Sequence, residues 1–281
     1  MRFSLSTGTF YPYPLRTIFR WARQAGFDGV ELVVNPEAVA RGGRAVRTMA
    51  GDQGLEIYSV HPSILPLPGW RERRGGMEPT IRLAQEAEAG VVVMHTPHSE
   101  DLDKGEGLAF QRRIETWQAR LEGGGLRLAV ENKAVRAEAH RHYALTPLDK
   151  LRAFAERYDL GLVLDTTHAA TSGEDLMQAM AVFNGRLVNV HLSDVGGYGL
   201  VRHVPVVGPV LAEHRFPGVG HLALADLVVG LDRSQYAGPV TLEITPLAAR
   251  AWWPPALRRR LAQAVGWLEA ARDGDGPRRG P

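Results

Sequence analysis

Eight short apolar runs succeed one another along the 281 residues, each followed by a stretch of helical periodicity. The runs begin with Arg2 to Thr7, a turn and strand over Gly26 to Val34, Leu55 to Val60 and Val91 to His95. They continue with Leu126 to Val130, Leu160 to Leu164, Leu187 to His191 and Val240 to Ile244. Continuous runs of this length read as strands buried on both faces, the kind found in parallel sheets, and the helices between them supply the crossovers that parallel pairing requires. Eight such units in a chain of this size point to an α/β fold, a single closed (β/α)8 TIM barrel rather than an open sheet. The same alternation says where chemistry belongs, because ligands of such barrels bind at the carboxyl ends of the strands. The barrel is expected over residues 1–271, and the Gly, Pro and Arg-rich stretch 272–281 as a flexible tail. Helices are expected at Leu15 to Gln24, Pro36 to Asp52, Met77 to Ala89, Leu108 to Leu121, Pro147 to Tyr158, Asp175 to Phe183, His221 to Leu231 and Pro255 to Ala271.

Composition removes several classes of function. The chain has no cysteine, which excludes disulfides, thiol catalysis and thiolate metal ligands, so any metal must be held by His, Asp and Glu. No apolar run approaches the roughly 20 residues needed to span a bilayer. Met1-Arg2-Phe3-Ser4-Leu5 leads directly into a strand pattern without a signal-peptide apolar core, so a cytoplasmic location is expected. A formal net charge of +2 is too small to indicate nucleic-acid binding by itself. Lys104, Lys133 and Lys150 are the only lysines among 33 basic residues, a bias that reads as genomic rather than functional.

What distinguishes these strands is how they end. Strands three to eight finish, without a gap, in His61, His95, Glu131, Asp165, His191 and Glu243. His168 and His214 follow on the loops after strands six and seven. Each alone has an ordinary reading: Asp165 as the cap of the next helix, a histidine as a hydrogen-bonded core imidazole. Barrel closure brings all six ends to one mouth, and residues able to bind metal would rarely occupy six successive ends by accident. Mixed imidazole and carboxylate ligands suit divalent zinc, manganese, iron or cobalt, zinc and manganese foremost.

Val163-Leu164-Asp165-Thr166-Thr167-His168-Ala169 carries a resemblance, together with Val130-Glu131-Asn132, His191-Leu192-Ser193-Asp194 and His214-Arg215-Phe216-Pro217-Gly218-Val219-Gly220. The chain resembles the xylose isomerase-like TIM barrel superfamily. Within it, the pattern is similar to the family 2 apurinic endonucleases (endonuclease IV) and to the sugar isomerase/epimerase branch. The endonuclease resemblance implies a multinuclear site: His61, His95 and Glu131 on one metal, Glu131 bridging to a second on Asp165, His191 and Glu243, and His168 and His214 helping to hold a third. That branch has an aspartate two residues before the loop histidine, where this chain has Ala212 followed by Glu213. The aromatic residue of that branch three positions after the strand-three histidine is Ile64 here. The epimerase resemblance implies a single metal on Glu131, Asp165, His191 and Glu243, with Glu131 and Glu243 moving a proton on and off a carbon beside a carbonyl.

His61 and His95 separate the two readings, since a one-metal isomerase needs neither as a ligand. Their presence favours a divalent-metal hydrolase acting on a phosphoester, with two or three metals per chain; the alternative is a metal-dependent sugar isomerase or epimerase with one. The expected substrate is a small phosphorylated compound or sugar, or nucleic acid. Trp70 and Arg71, in the Arg-rich loop after strand three, are candidate contacts to a ring and a phosphate. Asn132 and Lys133, beside Glu131, are candidate substrate contacts as well. Gly196-Gly197-Tyr198-Gly199 has the composition of a mobile loop.

Overall fold

The computed structural model describes residues 1–64, 76–196 and 212–275. Eight parallel strands close into a barrel in sequence order: β1 (Arg2–Ser6), β2 (Gly29–Val33), β3 (Glu56–His61), β4 (Val91–His95), β5 (Arg127–Glu131), β6 (Gly161–Asp165), β7 (Leu187–Leu192) and β8 (Pro239–Leu242), with β8 pairing back onto β1. The (β/α)8 expectation therefore holds. Between the strands lie α1 (Leu15–Ala25), α2 (Pro36–Arg41), α3 (Gly43–Gly51), α4 (Met77–Glu86), α5 (Gly105–Leu121), α6 (Leu148–Arg157), α7 (Thr166–Ser172) and α8 (Leu176–Phe183). Helices Leu224–Arg233, Pro246–Ala249 and Pro254–Arg272 complete the described part of the outer ring.

Side chains of a strand alternate between its faces, so each strand divides its residues between two cores. The outward set, with Val30, Leu32, Val92, Met94, Leu128, Val130, Leu162 and Leu164, merges with the helices into one large apolar cluster. The inward set forms a separate and much smaller one, Val91, Val93, Ala129 and Val163. Two residues on from three of these stand His95, Glu131 and Asp165, on the same inward face at the carboxyl end. Register then sets the ends side by side: His95 lies opposite Glu131, and Asp165 opposite His191.

Helix boundaries differ from expectation where tertiary contacts supply a cap. The single helix expected from Pro36 to Asp52 is two helices, divided at Gly42, whose φ of 78° and ψ of 158° are not helical. The Glu86 carboxylate accepts the Gly43 N–H at 2.8 Å and so satisfies the start of α3 from a neighbouring helix. The helix expected from His221 begins at Leu224, because the preceding residues are held by Asp194: its buried carboxylate accepts the N–H groups of Val195, Gly220 and Leu222 at 2.9, 2.7 and 3.0 Å. The last helix runs to Arg272, one residue beyond the expected end of the barrel.

Candidate active site

Asp165 both caps a helix and lines the barrel mouth. It is the N-cap of α7, one oxygen accepting the His168 N–H at 2.8 Å, while its other oxygen, Oδ2, is buried in the mouth. Capping turns the chain abruptly into α7 and brings the His168 ring back over the strand ends, with its Nδ1 at 3.8 Å from Asp165 Oδ2 and 3.7 Å from Glu131 Oε2. Asn132 fixes the strand end itself: its side-chain carbonyl accepts the Asp165 N–H at 2.7 Å and its amide donates to the Asp165 carbonyl at 3.0 Å. Both ends of this buried side chain thus serve the main chain of Asp165.

All eight residues expected at the strand ends and loops meet in the mouth. They fall into three groups whose potential donor atoms lie within 4.8 Å of one another: His61, His95 and Glu131; Asp165, His168 and His214; and Glu131, Asp165, His191 and Glu243. His61 and His95 face each other through Nε2 atoms 2.9 Å apart, their rings edge to face, and His95 Nδ1 is 3.4 Å from Glu131 Oε2. His214 contacts Ser193 Oγ at 3.2 Å and packs edge-on against His168. Its φ of +48° places it in the left-handed region, which costs a non-glycine residue energy. Glu213 does not replace the acid missing at Ala212: its carboxylate is buried against Arg136, accepting from Nε at 2.9 Å and Nη2 at 2.6 Å. Lys133 Nζ donates to the Thr96 carbonyl at 3.3 Å and lies 5.1 Å from the centre of the Tyr143 ring. Trp70, Arg71 and Tyr198 lie outside the described residues.

Sequence reasoning missed Glu31. It is fully buried inside the barrel, and its Oε2 accepts from His191 Nε2 at 2.9 Å, Ser59 Oγ at 2.8 Å and Asn189 Nδ2 at 3.0 Å. The signal was a lone acid within a strand buried along its whole length, Gly29-Val30-Glu31-Leu32-Val33. A charge in such a strand is costly unless it is partnered.

The electrostatics follow from four carboxylates crowding these imidazoles. His191 lies between three of them, its Nδ1 at 2.6 Å from Glu131 and 2.9 Å from Glu243, and its Nε2 on Glu31. Burial alone would neutralise the ring, but Glu31, Glu243 and Glu131 outweigh it and hold His191 well above the usual histidine range. Burial likewise opposes ionisation of Glu131 and Glu243, yet His168 and His191 for the first, and chiefly His191 for the second, keep both carboxyls well below their usual range. Asp165 goes the other way, raised by burial. His168 is raised because Asp165 and Glu131 overcome its burial. Desolvation is the main cause holding His95 low, at about 3, although half of its side chain is accessible from the mouth.

Buried oxygens without a hydrogen-bond partner test whether this donor set fits a divalent cation. Among the described residues three buried carboxylate oxygens have none: Glu131 Oε2 and Asp165 Oδ2, which belong to the four-residue group, and Glu31 Oε1, whose residue contacts His191 through its other oxygen. Buried acceptors are nearly always paired, and several carboxylates so close together require positive charge. A divalent ion ligated by Glu131, Asp165, His191 and Glu243 meets both demands.

Residues 19–271 match the xylose isomerase-like TIM barrel family, and the chain belongs to it; it is an enzyme of that family. An uncharacterised protein of Mycobacterium tuberculosis is 30% identical over 274 residues, covering 89% of this chain and 91% of its own length. The 3-dehydroshikimate dehydratase of Pseudomonas aeruginosa is 26% identical over 231 residues, 78% of this chain and 34% of that longer protein. Among solved structures, the 3-keto-D-glucoside 4-epimerase of E. coli superposes with a TM-score of 0.68 at 19% identity, over 96% of this chain and 99% of its own, a likeness of fold.

Proposed function

We propose that the protein is a divalent-metal-dependent isomerase or epimerase of a small sugar or related hydroxy-ketone. The observation that carries this reading is the group of Glu131, Asp165, His191 and Glu243, with donor atoms within 4.8 Å of one another and two of the carboxylates, Glu131 and Glu243, held ionised. The bound metal supplies polarisation of the substrate's carbonyl oxygen, which acidifies the neighbouring C–H. Glu131 ends β5 and Glu243 follows β8; in this reading the substrate binds with one of these carboxylates toward each face. One takes the proton from the carbon beside the carbonyl and becomes the acid, returning that proton to the adjoining position. For inversion, the other takes a proton from solvent and delivers it to the opposite face while the first releases its own. Asp165 and His191 complete the ligand set. His168, with its raised affinity for a proton, and His95 at the accessible rim are placed to hydrogen-bond substrate hydroxyls. The names of an epimerase and a dehydratase among the similar proteins support this reading over phosphoester hydrolysis.

A hydrolase with two or three metals is the second reading, favoured by one observation: His61 and His95 join Glu131, and His168 and His214 join Asp165, in groups as tight as the first. The absence of an acid at Ala212 and the engagement of Glu213 by Arg136 leave its third site one ligand short of the endonuclease pattern. Incubation of the metal-loaded protein with ketoses and their phosphates in deuterated water tests the two readings. Deuterium at a substrate carbon supports the first; no exchange across the panel, with cleavage of a phosphodiester, supports the second.

A further inference from the structure

The interior of a (β/α)8 barrel is usually filled by layers of branched apolar side chains. One layer here is polar instead. Glu31 on β2, Ser59 on β3, Asn189 on β7 and Thr241 on β8 are all fully buried and joined by hydrogen bonds. Thr241 Oγ1 donates to Asn189 Oδ1 at 2.9 Å, and Asn189 Nδ2 donates to Glu31 Oε2 at 3.0 Å; Ser59 Oγ donates to the same oxygen at 2.8 Å. Two irregularities in register assemble the layer. Between β2 and β3 the pairing skips Tyr58, so Glu31 faces Ser59, and between β6 and β7 it skips Val188, so Asn189 faces Val163. Such shifts re-aim side chains and occur preferentially beside active sites.

A buried acid within four polar residues costs stability that apolar side chains would not, so the layer needs a reason. Among the described residues its link to the barrel mouth is the hydrogen bond that Glu31 Oε2 accepts from His191 Nε2 at 2.9 Å. The other nitrogen of that ring, Nδ1, lies against Glu131 and Glu243, the residues grouped with His191 as ligands. Metal-ligating histidines almost always donate their second N–H to a carboxylate or carbonyl, which fixes ring orientation and tautomer and raises ligand basicity.

We propose that Glu31 is the positioning residue of the metal site: it holds the Nε2–H of His191 and thereby presents Nδ1 to the metal, with Ser59, Asn189 and Thr241 serving to hold Glu31. This inference rests on the ligand set of the proposed function. Glu31→Gln and Glu31→Ala, with Zn²⁺ and Mn²⁺ as the probes and a chromogenic chelator as competitor, read the metal affinity directly. The expected loss is roughly 10- to 100-fold, larger for alanine, with the barrel's circular dichroism retained. Affinity within about threefold of the wild type in both folded variants overturns the proposal, because loss of such a partner costs far more than that. Should neither variant fold, ¹⁵N-histidine NMR of the wild-type protein decides. On loading with Zn²⁺, His191 keeps the proton on Nε2 and loses it from Nδ1 if Glu31 has the stated role; loss from Nε2 refutes it. If the wild type binds neither ion, it is the ligand set itself that has failed, an outcome distinct from tight binding in both wild type and variants.

Discussion

Under the proposed ligand set Asp165 combines two roles, helix cap and metal ligand, that substitution can separate. Asparagine caps helices as well as aspartate, so Asp165→Asn should keep the acceptor that takes the His168 N–H at 2.8 Å while removing the negative charge. Alanine removes both. Loss of the cap costs about 1 kcal/mol, which in a domain of this size corresponds to a fall of about 2–4 °C in Tm. The charge works in the opposite direction in the metal-free protein, because burial among Glu131 and Glu243 makes ionised Asp165 unfavourable. Metal-free Asp165→Asn should therefore unfold at or above the wild-type temperature, and Asp165→Ala below it. The order changes with metal present. At a free ion concentration of about 100 Kd the wild type gains about 2.7 kcal/mol, and a variant lacking one of four ligands gains little. Differential scanning calorimetry with chelator and with Zn²⁺ or Mn²⁺ reads all six states. If Asp165→Asn is stabilised by the ion as much as the wild type, Asp165 is a cap and not a ligand. If metal-free Asp165→Asn falls as far as Asp165→Ala, the separation of roles is wrong.

Three further outcomes follow from the same geometry. His61→Ala should leave a single ion bound and C–H exchange intact under the isomerase reading, whereas loss of a second ion measured by plasma emission spectrometry would favour the hydrolase. In the metal-free protein, the raised His191 contributes stability that is fully present below its ordinary value of 6.5 and lost as the pH rises through its higher folded value. The lowered Glu131 and Glu243 contribute stability present above their ordinary 4.5 and lost as the pH falls through their folded values, with the raised Asp165 acting in the opposite sense to them. The unfolding temperature with chelator should thus fall as pH rises above the ordinary histidine value, and metal loading there should release a proton, seen as buffer-dependent heat in titration calorimetry. Gly220→Ala would bring a Cβ within 2.2 Å of both Asp194 Oδ1 and the Val195 carbonyl oxygen, and should cost about 1–3 kcal/mol in urea unfolding.

The strand ends were legible in sequence because buried parallel strands leave no room for ambiguity: a His, Asp or Glu closing an apolar run stands out against Val and Leu. Counting units then gives each strand its position in the barrel, which is why the sequence alone assigns His61 and Glu243, 182 positions apart, to one mouth. Glu31 escaped for the complementary reason. It lies in the middle of a strand, and only the β2–β3 irregularity and the inward turn of Asn189 show that its charge has partners. The break at Gly42 was hidden as well, since the carboxylate that caps α3 comes from Glu86 on another helix. Asn132 adjoins Glu131, and its bonding to the main chain of Asp165, 33 residues away in sequence, is visible only in the fold.

Exchange of substrate hydrogen with solvent tests the central claim most directly. With the metal-loaded protein in deuterated water and a panel of ketoses and their phosphates, proton NMR should show deuterium entering the carbon beside the carbonyl, at a rate abolished by Glu131→Gln or Glu243→Gln. Exchange that persists in both variants, or no exchange with any ketose alongside hydrolysis of a phosphodiester, would contradict it.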